Sequence, residues 1–146
     1  MKAIWIAVAM ALAGPVSAES VVTYETNETF DDVIFGLESA IVDEGLVIDS
    51  ISHTGAMLER TRKDVGSGVT LFTHADIYSF CSANLSRKVM EADPMNIMFC
   101  PYDIFVFVQP DRPDSTVIGF KGFPEGPMQD IQALLDGIAR AAIGLD

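Results

Sequence analysis

The sequence predicts an α+β fold: one compact domain in which a mixed or antiparallel sheet carries helices mainly on one face. Three observations lead there. Apolar residues recur at three- and four-residue spacing in residues 30–41 and 128–142, the mark of helices with one buried stripe. Between them lie short β-prone runs bounded by turn residues. A chain of 146 residues that is 49% hydrophobic suits one core better than two. Helices packed mainly on one face of such a sheet are the economical arrangement.

Taken in order, residues 20–26 (Ser-Val-Val-Thr-Tyr-Glu-Thr) form a first strand. Thr29 caps a helix whose positive first turn holds Asp31 and Asp32. Its stripe is Phe30, Val33, Ile34, Leu37 and Ile41, and Gly45 stops it, since glycine tolerates the left-handed conformation that closes helices. Residues 46–51 make a second strand, and residues 54–64 a short second helix. After the turn Gly66-Ser67-Gly68, residues 69–80 read as a long alternating strand. Ser82 caps a helix through Glu91, ended by Asp93-Pro94. Residues 97–108 are nearly all apolar, as a covered central strand requires. An exposed loop with Pro110 and Pro113 leads to a strand at 116–121. Pro127 then opens a last helix with the stripe Met128, Ile131, Leu134, Leu135, Ile138 and Ala142. The order is β-α-β-(α)-β-α-β-β-α, with neither repeat nor linker.

Charge and cysteine content narrow the function classes. The chain holds 21 acids against 9 bases, a formal charge of −12. Nucleic acid is excluded as a partner, because binding it needs clustered Lys and Arg to displace counterions from phosphates. Two cysteines are too few for a disulfide-built miniprotein. Residues 1–18 read as a secretory signal peptide: Lys2, an apolar run at 3–13, the breakers Gly14 and Pro15, then Val16-Ser17-Ala18 before cleavage. A membrane span needs about 20 apolar residues, more than this run offers. The expectation is an exported protein, periplasmic if the source is Gram-negative, with residues 19–146 as the mature domain. Cleavage removes one base and no acid, so the mature charge becomes −13.

The middle of the chain carries a resemblance. Phe80-Cys81-Ser82-Ala83, then Met90-Glu91-Ala92-Asp93-Pro94, then Phe99-Cys100-Pro101-Tyr102 before an apolar strand resemble the domain of unknown function 302 family. The similarity covers roughly residues 24–143. It implies a compact α+β domain and brings no established reaction, hence no catalytic residues to carry over.

Few residues bear chemistry. Cys81 and Cys100 are disulfide candidates in an exported protein, and two buried thiols acting as small apolar side chains are the alternative. The spacing is not the Cys-x-x-Cys of a redox pair. His53 and His74 are the two histidines. If their strands pair, they and the cysteines make a candidate metal or haem site, without any close-spaced ligand motif behind it. Met90, Met95 and Met98 suggest copper by ligand type, but core filling explains them more simply. Tyr78 and Tyr102 read as half-buried strand residues. Arg60, Arg62 and Lys63 form one basic patch, an anion site or a solvated helix face. No nucleophile elbow, phosphate loop or forced carboxylate pair occurs. Two function classes follow. One is a non-enzymatic exported module that binds a small ligand or an exported protein partner. The other is a metal-, haem- or thiol-dependent redox protein using His53, His74, Cys81 and Cys100. An uncovered sheet edge would favour a homo-oligomer.

Overall fold

The computed structural model describes residues 20–145; the expected signal peptide, residues 1–18, lies outside them. The elements are β1 (Val21–Thr26), α1 (Phe30–Asp43), β2 (Val47–Ser52), α2 (Thr54–Thr61), β3 (His74–Cys81) and α3 (Ala83–Ala92). A 3-10 helix (Pro94–Phe99), β4 (Tyr102–Val108), β5 (Thr116–Lys121) and α4 (Gln129–Ala141) complete them. The strands form one sheet in the order β1-β5-β4-β3-β2. Every pairing is antiparallel.

The expected caps are in place. Thr29 accepts the Asp32 amide and Ser82 the Leu85 amide, satisfying donors that a helix start leaves unpaired. Gly45 closes α1 with a φ of 72°.

On β4, Tyr102, Ile104, Val106 and Val108 are buried while Asp103, Phe105 and Phe107 point the other way and stay partly in solvent. Tyr102, Ile104 and Val106 meet Val33, Leu37 and Ile41 of α1 and Ile131, Leu135 and Ile138 of α4 in one core. Full burial of such a side chain contributes about 1.5–3 kcal/mol. The opposite face carries the stacked pair Phe105–Phe107, whose centroids lie 6.0 Å apart. Among the described residues no helix is long and apolar enough to cross a membrane.

Four expectations need correction. The strand expected over 69–80 begins only at His74, because its partner β4 ends at Val108 opposite that residue and Pro110 carries the chain away. Residues 69–72 have no ladder to join. The strand expected over 97–108 begins at Tyr102. Asp93 accepts the Met95 amide and Pro94 opens the 3-10 turn, while Pro101 has no N–H to donate. That turn leaves Met95 and Met98 exposed rather than core-filling, whereas Tyr78 and Tyr102 are fully buried.

A candidate ligand cleft at the edge of β3

The cleft arises because β2 is shorter than β3. Ser52, the last residue of β2, pairs with Ile77, so β3 runs on to His74 without a neighbour on that side. Helix α2 turns back into the gap. Its contact is close: a Cβ at Gly55 would lie 2.7 Å from the Ala75 amide nitrogen.

The turn into α2 makes His53 its N-cap residue and brings His53 Nδ1 to 3.0 Å from Asp76 Oδ1. The side chains are 67% and 13% exposed, respectively. An ionised carboxylate only accepts, so Nδ1 carries the shared proton and Nε2 keeps its lone pair in the neutral ring. His74 shares the strand face of Asp76, two residues along. Its ring stacks on Phe30 of α1, with centroids 4.9 Å apart and 21° between planes. These groups, with Arg60 and Phe72, line a cavity of about 550 Å³. Two nitrogen heterocycles, one guanidinium, the two carboxylates Asp76 and Glu59 and two aromatic rings thus meet at one open edge. Such a set orients a ligand by a few polar contacts over an apolar bed.

The other chemistry-bearing residues lie at the far end of β3. Cys81 sits seven residues beyond His74, about 23 Å at 3.3 Å per residue. The four-residue set His53, His74, Cys81 and Cys100 therefore does not converge. Although β2 and β3 do pair, the histidines occupy the end opposite the cysteines. Among the described residues no group of three from His, Cys, Asp and Glu gathers as a metal-ligand set.

The cysteines do meet each other. Phe80 pairs with Tyr102, so the positions just beyond that rung bring Cys100 beside Cys81. Burial first, then the Cys100 thiol as hydrogen-bond partner and the nearby Asp49 charge, push the Cys81 thiol up to about 12. Both are free thiols, partly exposed.

The basic residues divide as well. Arg60 lines the cleft, Arg62 Nε lies 3.0 Å from Glu59 Oε1, and Lys63 is exposed just past α2. Two buried tyrosines are anchored rather than reactive. The Tyr78 hydroxyl donates to Glu38 Oε1 at 3.1 Å, and burial followed by that carboxylate holds it well above the usual phenol range. The Tyr102 hydroxyl shares a 2.9 Å hydrogen bond with Ser86.

His74 is two residues from Asp76 on one strand face, yet the histidine bonded to Asp76 is His53. Sequence spacing gives Phe30 a place in a helix stripe but gives Phe30, Phe72 and Gly55 no place in a site. The available signal was small: a glycine two residues after a histidine, at the start of a short helix, allows close docking.

An antiparallel five-stranded sheet with two long helices on one face and a cleft where its second strand stops short defines an open-faced α+β domain. Residues 22–124 match the family described as Domain of unknown function DUF302, and the chain belongs to that family. The chain is also similar in fold to the crystal structure of an uncharacterized conserved DUF302 protein from Bacillus stearothermophilus. The TM-score is 0.58 at 16% identity, over 85% of this chain and 95% of that one. No curated protein matches.

Proposed function

We propose that the protein is an exported, non-enzymatic module that holds a small ligand in the His53–Asp76 cleft. The observation that carries this reading is the roughly 550 Å³ cavity where His53, His74 and Arg60 stand beside Phe30 and Phe72. The chemistry fits a ligand with a planar or apolar body and one anionic group. Its body lies on the rings, and its charge meets Arg60. Asp76 positions His53 and leaves its second nitrogen free for the ligand.

Export rests on the pattern of residues 1–18. In that setting the adjacent Cys81 and Cys100 form a structural cross-link, their two thiols passing two electrons and two protons to a disulfide oxidant. Closing this loop contributes about 3 kcal/mol in the chain-entropy model.

Native mass spectrometry of protein purified from its source tests the reading. The expected result is a chain starting at residue 19 with a small organic ligand retained, and loss of that ligand on Asp76→Asn. A protein that carries nothing, binds nothing in a ligand screen and turns over a substrate overturns it.

A further inference from the structure

Four large apolar side chains stand in solvent between Met57 and Leu71, with Val65 75%, Val69 63% and Leu71 53% exposed. They surround a groove of about 310 Å³ between α2 and the loop that follows it. Clustered exposed apolar surface rimmed by polar groups marks an interaction site. The same segment, residues 54–72, holds three cations against two carboxylates in a chain with 21 acids and 9 bases. Arg62 is engaged by Glu59. Arg60 and Lys63 make no ion pair among the described residues.

We propose that residues 54–72 dock on an anionic lipid surface, with Met57, Val65, Val69 and Leu71 entering the interface and Lys63, Arg60 and Arg62 at the headgroup phosphates. A basic, apolar-tipped segment of this kind lies in the interface plane rather than spanning it. Arg60 and Lys63, which make no ion pair among the described residues, complement headgroup phosphates. A lipid phase also receives scattered apolar side chains without matching their shape. The acids elsewhere on the chain do not cancel the local attraction, because charges beyond about 8–10 Å are screened at physiological salt. The groove adjoins the ligand cleft, sharing Gly55, Glu59 and Phe72 with it, while Arg60 lines the cleft alone.

The test places a reporter in the loop. A Val69→Trp variant of the full chain is titrated with phosphatidylglycerol and phosphatidylcholine vesicles, subtracting the emission of the unsubstituted protein. Trp emission should shift to the blue on the anionic vesicles alone. Lys63→Glu, which changes two charge units outside the cleft, should raise the half-saturating lipid concentration about thirtyfold at about 1 kcal/mol per charge near the surface. Circular dichroism checks that the variant is folded. An unshifted emission, an equal shift on phosphatidylcholine, or indifference to Lys63→Glu overturns the proposal. So does a shift that grows with protein concentration without vesicles and accompanies a doubled mass in light scattering, since the occupant is then a second copy.

Discussion

Two glycine-to-alanine changes in helices should have opposite signs, and the difference measures how tightly α2 is seated. Inside a helix the exchange stabilises by about 0.5–1 kcal/mol, because alanine loses less backbone freedom on folding. At Gly137 of α4 nothing lies within 4 Å of the added Cβ, so Gly137→Ala should show that gain. At Gly55 the Cβ falls 2.7 Å from the Ala75 amide nitrogen and 3.1 Å from its Cβ. Overpacking of this kind costs about 1–3 kcal/mol. Gly55 also sits in the first turn of α2, where the propensity gain is at its smallest. Gly55→Ala should therefore lose about 0.5–2.5 kcal/mol net, against a gain of up to about 1 kcal/mol for Gly137→Ala. Urea unfolding with a common m-value separates the two. Gly55→Ala should also lengthen the His53–Asp76 contact, because α2 must withdraw from β3 to make room. That loss appears as deprotected His53 ring exchange and weakened cleft binding, neither seen in Gly137→Ala. If Gly55→Ala is as stable as the parent with its cleft intact, the seating of α2 described above is wrong.

The two sheet faces should respond unequally: Ile104→Ala, fully buried, should cost about 2–5 kcal/mol, and Phe107→Ala on the open face clearly less, by thermal or urea unfolding. In the reduced protein, the Cys81 thiol held at about 12 should alkylate slowly at neutral pH, as followed by mass spectrometry. Because the folded value lies above the ordinary thiol range, its contribution is complete below about pH 8.5 and is lost as pH rises towards 12. Arg112 donates to both Glu25 oxygens and holds that carboxyl below its ordinary range. Arg112→Gln should return it upwards in an NMR titration. With the depressed value, the pair's contribution is present above the ordinary carboxylate range and fades as pH falls through the folded one.

Much of the fold was legible because helix caps and stripes are local. Thr29 and Ser82 announce helix starts through one short side chain each, and the α1 and α4 stripes follow from spacing alone. The strand ends were not legible, since a strand stops where its partner stops. Residues 69–72 have suitable residues and no ladder; Pro101, not hydropathy, sets the start of β4. The site shows the same limit. His53 and Asp76 are 23 residues apart and meet because β2 ends early, a fact of register that single-sequence periodicity does not contain. The family resemblance in residues 80–102 was legible through local motifs, and the match over residues 22–124 confirms it.

The proposed function requires that the cleft bind a ligand. The direct measurement is an amide-shift NMR titration of the protein with phenyl phosphate, whose ring and single anionic group match the lining. Saturable shifts centred on His53, His74, Ala75 and Asp76, and abolished by Asp76→Asn, are the predicted result. Shifts that never saturate, or that centre away from the β3 edge, would contradict it.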